Sequence, residues 1–237
     1  MVVDMGKKSA IDWTNDTWNP WQGCHKISPG CRNCYMYRDK KRYGNDPAKV
    51  VRSAPATFRL PYKLKGPLVF VCSWSDFFIE EADEWRDEAI QIIKDNSNLT
   101  FQILTKRPER INIELPENVW LGVTVENQEM ADRRIPELLV IPAVRHFISV
   151  EPMLNPVFLR DEWMTIMNLH SINWVIAGCE SGPGARTMQT EWARSLKDQC
   201  VDAGVPFFLK QMMVAGKLVK MPELDGQVWD QMPEIKR

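Results

Sequence analysis

The 237 residues, 44% hydrophobic and 26% charged, make a chain long enough for one large α/β domain with a substantial buried core, or for two small ones. A formal net charge of −1 gives no chain-wide case for nucleic acid. Met1 to Ala10 carries two lysines and no long apolar run, so neither a signal peptide nor a membrane span is expected, and the expected compartment is the cytoplasm.

Taken in order, Ile11 to Trp21 reads as a short tryptophan-rich strand that ends at Asn19-Pro20. The next stretch, Gly23 to Tyr35, places Cys24, Cys31 and Cys34 in one loop. Cys31 and Cys34 form a C-x-x-C pair whose sulfurs can turn toward one point, and Ser28-Pro29-Gly30 is a turn that can fold Cys24 back to join them. Three converging thiols suit a metal. Structural zinc and a cubane iron–sulfur cluster each normally take four protein ligands, so either a distant side chain completes the set or one coordination position stays open for substrate or cofactor. A redox pair and a zinc knuckle are the competing readings. His25 is a poor fourth zinc ligand because it adjoins Cys24. A disulfide would leave one cysteine over. Cys72, Cys179 and Cys200 lie in or near apolar stretches and read as buried packing residues.

Tyr35 to Tyr43 reads as a helix stopped at Gly44, and residues 44 to 66 as a proline-bearing connector. Between His25 and Lys65 eleven lysines and arginines face only Asp39 and Asp46, while the opposite sign gathers from Glu80 to Glu88. The basic density is either a solvated helix face or a surface for an anionic polymer, with Arg38, Lys41, Arg42, Arg52 and Arg59 as its contacts.

Continuous apolar runs then recur at 68–72, 101–104, 119–123, 146–150, 174–178 and 206–209, as expected for parallel strands covered on both faces. Helical patterns lie between most of them: Trp85, Ala89, Ile92 and Ile93 on one face, Met130, Ile135, Leu138 and Leu139 on a second, and Trp192, Leu196, Cys200 and Ala203 on a third closed by Gly204. The expected fold class is α/β, a partial or nearly closed (β/α) barrel of about six to seven parallel strands, with an open doubly wound sheet as the alternative. Residues 1–214 form the expected barrel domain and 215–237 a small polar extension, read as a hairpin packed on it.

Polar residues follow every strand: Ser73, Ser75 and Asp76; Lys106; Glu126; Glu151; Glu180; and Lys210. In a β/α barrel these positions share the C-terminal rim where such folds build their sites, and the cysteine loop would open onto the same rim. Gly178 to Arg186 matches neither a dinucleotide fingerprint nor a P-loop and reads as a tight turn that lets backbone approach a cofactor.

Three cysteines in a loop after the first strand of such a barrel resemble the radical S-adenosylmethionine superfamily. The wider pattern T-W-N-P-W-Q-G-C, S-P-G-C-R-N-C-Y, S-W-S-D, L-T-K-R-P-E, V-E-N, S-V-E-P and E-S-G-P-G-A-R resembles a phage-associated three-cysteine-motif family within or beside it. The resemblance implies a [4Fe–4S] cluster on Cys24, Cys31 and Cys34, with S-adenosylmethionine on the fourth iron and a 5′-deoxyadenosyl radical abstracting a substrate hydrogen. By position, Ser73, Ser75 and Asp76 resemble the segment that binds the cofactor's amino group. Lys106, Glu126 and Glu151 are candidates for its carboxylate and ribose, Gly178 to Glu180 for the adenine or substrate side, and Glu180 and Lys210 for catalysis. The C-x6-C-x2-C spacing departs from the usual C-x3-C-x2-C, and Asn33 stands where that pattern has an aromatic.

The implied function is modification of a nucleobase or nucleotide, such as rearrangement of a hypermodified thymine in phage DNA, within a bacterial or phage-infected cell. An electron donor is the implied partner. No membrane is expected among the partners, and a protein partner is left unnamed. A DNA-lesion lyase and a non-catalytic zinc-bearing module for nucleic acid or protein are the rivals.

Overall fold

The computed structural model describes residues 9–165 and 171–235, so Met1 to Lys8 of the N-terminal stretch and Lys236 and Arg237 of the tail lie outside the described residues. In chain order the elements are β1 (Asp16–Trp18), β2 (Trp21–Gln22), α1 (Tyr35–Arg42), β3 (Val51–Arg52), α2 (Pro55–Phe58), β4 (Leu68–Val71), α3 (Asp83–Asp95), β5 (Thr100–Thr105) and β6 (Val119–Thr124). They continue with α4 (Gln128–Leu139), β7 (Arg145–Val150), α5 (Asp161–Met164), β8 (Ile172–Gly178), α6 (Thr190–Ala203), β9 (Phe207–Val214), β10 (Lys217–Lys220), β11 (Glu223–Leu224) and β12 (Gln227–Val228). Eight strands form one sheet in the order β1-β4-β5-β6-β7-β8-β9-β10, and every neighbouring pair is parallel except β9 with β10.

The continuous apolar runs arise because the sheet is covered on both faces. Val69, Val71, Phe101, Ile103, Leu121, Val123, Ile148, Val175, Ala177 and Leu209 share a core with helix residues such as Ala89, Ile93, Ala131, Ile135, Leu196 and Cys200. The alternate positions Phe70, Trp120, Phe147, Trp174, Ile176 and Phe208 form a second core with Trp13. Trp13 shows that this second face is concave. Its ring centroid lies 4.6 Å from that of Phe70 on β4, 6.5 Å from Phe147 on β7 and 5.9 Å from Trp174 on β8. In a flat sheet β4 and β7 would stand roughly 14 Å apart, so one indole can touch both only if the sheet curls into a half-barrel. Gly122 makes room inside, because a Cβ there would fall 2.6 Å from the Phe147 ring.

Three helices follow the expected patterns, with local signals at their ends. Asn127 caps α4 by accepting from Met130 N at 2.9 Å, and α6 stops at Gly204 with φ 67°.

Three expectations change. The sheet has eight strands, because beyond the seven parallel ones β9 runs on into a hairpin and adds antiparallel β10 at the edge. The strand expected over residues 11–21 shrinks to β1, since Trp13 turns into the barrel interior and Asn19-Pro20 breaks the ladder. The connector 44–66 is not featureless: β3 pairs with β2, and α2 follows it. Within the tail, β11 and β12 form a second hairpin, and Leu209 N donates to Trp229 O at 2.8 Å. No described helix is long and apolar enough to cross a membrane.

Candidate active site

A cavity of about 230 Å³ opens at the C-terminal ends of the parallel strands. Cys24, Cys31 and Cys34 line it together with Ser73, Ser75, Asp76, Lys106, Glu151, Glu180 and Lys210. Of the residues singled out in the sequence, Glu126 and Gly178 do not line it: Glu126 is wholly buried behind the cysteine loop, and Gly178 serves by its smallness. A Cβ at Gly178 would lie 3.3 Å from the Glu151 carboxyl carbon.

Three of the strand-end acids hold the cysteine loop, each with an arginine. Asp76 accepts from Phe78 N, Thr105 Oγ1, Lys106 N and Arg107 Nη1 at 3.0, 2.6, 2.9 and 3.0 Å. Arg107 then donates to His25 O at 3.2 Å and places Nη1 3.8 Å from Cys24 Sγ. Glu126 Oε1 accepts from Gly30 N at 3.0 Å while Oε2 takes Arg134 Nη1 at 2.9 Å. The loop can come this close because residue 30 is glycine; its Cβ would stand 3.0 Å from the Glu126 carboxyl. Glu180 accepts from Asn33 Nδ2 at 2.8 Å and from Arg186 through its backbone N, Nε and Nη2 at 2.9, 3.0 and 2.5 Å. Arg186 Nη1 also donates to Pro29 O at 3.0 Å. The loop is thus pinned near residues 24, 30 and 33 by charge-assisted bonds, the strong kind. Buried acids of this sort need such partners, since an unpaired buried charge is costly.

The fourth acid differs. Glu151 Oε1 accepts from Lys210 Nζ at 2.5 Å, and no described residue donates to Oε2. Its pair faces the cavity and makes no bond to the loop.

Electrostatics separate the thiols. Burial, with Asp76 nearby, pushes the Cys24 thiol up to about 11 against the opposing pull of Arg107. Burial would also raise Cys31, but the Lys106 ammonium and hydrogen bonds from Ile27 and Ser28 outweigh it and hold that thiol below its ordinary value. The Glu180 carboxyl is drawn down to about 2, because the Arg186 and Asn33 bonds overcome the burial that would raise it.

Several site residues escaped the sequence reading. Arg107 and Arg186 stood beside residues that were chosen, and the need of buried acids for cations was the signal that points to them. Cys72 and Cys179, read as packing residues, are buried but also line the cavity. Cys72 takes a left-handed φ of 61° at the end of β4, where side chains larger than glycine are uncommon. Trp13 lines the floor, and its Nε1 is buried without a hydrogen-bond partner. The basic run is partly spent: Arg52 pairs with Glu88, Arg38 with Asp39, and Lys40 is buried, whereas Lys41, Arg42, Lys49, Arg59, Lys63 and Lys65 keep at least part of their surface in solvent. His25 pairs with Glu81 rather than turning to the cysteines.

Among the described residues no three His, Cys, Asp or Glu side chains are gathered into a ready metal-binding group. The donor set nonetheless suits a thiophilic centre: all three loop cysteines are free thiols on one cavity wall, with a guanidinium at the first and an ammonium acting on the second. No curated protein and no solved structure matches the chain. Residues 8–233 match the model of the family described as "Protein of unknown function (DUF5131)", and the chain belongs to that family.

Proposed function

We propose that the protein is a radical S-adenosylmethionine enzyme of the phage-associated three-cysteine-motif kind, in which Cys24, Cys31 and Cys34 hold a [4Fe–4S] cluster and the substrate is a nucleobase or nucleotide. The supporting observation is that three free thiols of one clamped loop share a cavity with the strand-end polar residues of a curled parallel sheet. Three cysteines leave one iron of a cubane open, which is where a chelating cofactor binds. On this reading the sheet is the partial (β/α) barrel of that superfamily, residues 1–214 are its catalytic domain and 215–237 an extension.

When bound, the cluster and cofactor supply a one-electron reduction that ends in hydrogen-atom abstraction from the substrate, with the electron coming from an external donor. The chain's own residues do the rest. Arg107 steadies Cys24, and Lys106 favours the thiolate of Cys31. Asp76, Glu126 and Glu180 are already filled by donors from the loop or from the arginines and backbone around it, so the cofactor's carboxylate falls to Lys106 and its amino group to the Ser75 hydroxyl oxygen. Trp13, Phe70 and Leu104 keep water from the floor.

The test is anaerobic reconstitution with iron and sulfide, followed by reductant and S-adenosylmethionine. About four irons per chain and release of 5′-deoxyadenosine are expected, and both should vanish in Cys24→Ala, Cys31→Ala and Cys34→Ala but persist in Cys200→Ala, whose thiol packs in the helix core. Stoichiometric zinc without iron would overturn the proposal in favour of a zinc-bearing module.

A further inference from the structure

We propose that Thr124 and Ser149, together with Lys106, form one oxyanion-binding row deep in the cavity, and that the row takes a terminal carboxylate or phosphate monoester of a small ligand. The cofactor of the enzyme reading above is one source of such a group and a free nucleotide is the other. The row rests on that reading only for the names of the two sources; its contacts come from the sheet itself.

Register places the three residues side by side. Thr124 on β6 and Ser149 on β7 are ladder partners, and Lys106 follows Thr105, whose partner on β6 is Val123. All three line the cavity. Partners on neighbouring strands stand roughly 4.8 Å apart with their side chains on one face, a spacing at which two hydroxyls can each meet a separate oxygen of the same carboxylate or phosphate. Two positions earlier on the same strands, Leu104, Gly122 and Phe147 are neighbours in the same way, and the Phe147 ring fills the space over Gly122. An anion therefore stops at the row. A diester within a polymer would have to carry its chain on through that apolar layer, so the group bound is a terminal one.

The hydroxyls have no other use. Thr124 and Ser149 are each 2% exposed, and neither side chain has a hydrogen-bond partner among the described residues. Their backbone is held: Thr124 O accepts from Arg134 Nη1 at 2.7 Å, and Ser149 O accepts from Val125 N at 2.9 Å. A buried hydroxyl left without a partner is costly, so two adjacent ones that open into a cavity point to a ligand.

Charge decides what kind of ligand. Of the two lysines that line the cavity, Lys210 is paired with Glu151, whereas Lys106 Nζ has neither an acid nor an acceptor among the described residues. Burial would raise the Glu126 carboxyl, yet Lys106, ahead of Arg134, holds it below its ordinary value, so the ammonium lies toward the end of β6 that carries Thr124. The Glu126 oxygens are already filled by Gly30 N and Arg134, which leaves the three N–H groups of Lys106 for an incoming anion. One ammonium beside two hydroxyl donors suits a single oxyanion.

Calorimetry of the full chain after reconstitution, with two matched pairs of ligands, tests this. The pairs are S-adenosylmethionine with decarboxylated S-adenosylmethionine, and 2′-deoxynucleoside 5′-monophosphates with their nucleosides. The affinity ratio within a pair is what counts, because a substitution that merely disturbs the cavity weakens both members alike, and any hold of iron on a carboxylate cancels between variants. The ratio should fall about tenfold or more in Lys106→Met and about threefold to tenfold in Thr124→Val and Ser149→Ala, and the pair in which it falls names the source. Wild-type ratios in both hydroxyl variants for both pairs, or no preference of the wild-type protein for the anionic member of either pair, overturn the proposal. About four irons with release of 5′-deoxyadenosine but unchanged ratios sink the row alone. A nucleotide ratio that falls in the hydroxyl variants of a protein that holds no iron sinks the enzyme reading alone.

Discussion

Two kinds of acid on the same cavity rim use a carboxylate–cation pair for opposite purposes. On the cysteine side, Asp76, Glu126 and Glu180 each meet an arginine and fill their oxygens with donors from the loop they hold or from its neighbours. At the end of β7, between the strands that lead to Glu126 and Glu180, Glu151 meets a lysine and keeps an oxygen free. A guanidinium has a fork of donors and can bind an acid and a backbone carbonyl at once, as Arg107 and Arg186 do, whereas an ammonium is a point charge on a flexible stem. Arginine therefore marks the wall that is fixed and lysine the wall that is available.

The largest effect should come from the most buried clamp. Arg134→Met leaves Glu126, 0% exposed, as an uncompensated charge, and should cost about 3–5 kcal/mol in urea unfolding. Replacing both partners by apolar residues should recover much of that loss, and failure to do so would mean that the Gly30 hydrogen bond, not the ion pair, is what counts.

Next is acid. The folded Glu180 carboxyl titrates at about 2 against an ordinary 4.5, so its stabilisation is complete above about 4.5 and disappears as the pH falls toward 2. The shift amounts to roughly 3 kcal/mol. Unfolding free energy followed from pH 6 to pH 2 should show a decline in that window that Glu180→Gln removes.

A smaller change is expected from Asp76→Asn, which keeps size but removes the charge facing Arg107. Roughly 1.5–3 kcal/mol should go, and Cys24 should become more reactive to a thiol reagent because the Asp76 charge that helps push its thiol up is gone. Glu151→Gln should sharpen the contrast: stability should move by about 1 kcal/mol or less, with Cys24 reactivity unchanged. Equal destabilisation by Glu151→Gln and Asp76→Asn would erase the distinction between the walls.

The smallest effect concerns polymer binding. If oligonucleotides bind, removing one of Lys41, Arg42 or Arg59 should lower the salt slope by about one unit for each phosphate that the side chain neutralises, and an unchanged slope would leave these residues as solvated surface.

The sequence made one layer of this arrangement legible and hid the next. Period and apolarity gave away the parallel strands, the three long helices and the polar strand ends, because each is a local pattern. Pairing is not local. Asp76 finds its cation 31 positions away at Arg107, and Asn33 reaches Glu180 across 147, so acids that looked like cofactor contacts turn out to be occupied by the loop or by an arginine that braces it. Trp13 was hidden for a related reason: one aromatic among several near the N-terminal strand carries no sign that it alone will turn inside the barrel.

The sheet begins at β1 and ends at β10, and these two edges are not joined by a ladder. Lys220, at the end of β10, donates to Ala10 O at 2.7 Å and sits 3.4 Å from Asp12, just before Trp13 enters the interior. A hoop riveted all round resists widening everywhere, but one fastened by a buckle yields at the buckle. A half-exposed ion pair weakens with salt while backbone ladders do not, so among the contacts that close the sheet ionic strength acts on this one. The indole that lines the cavity floor follows Asp12 directly in the chain, so a loosened seam reaches the floor by one peptide bond, whereas the cysteine loop hangs from clamps that it does not touch.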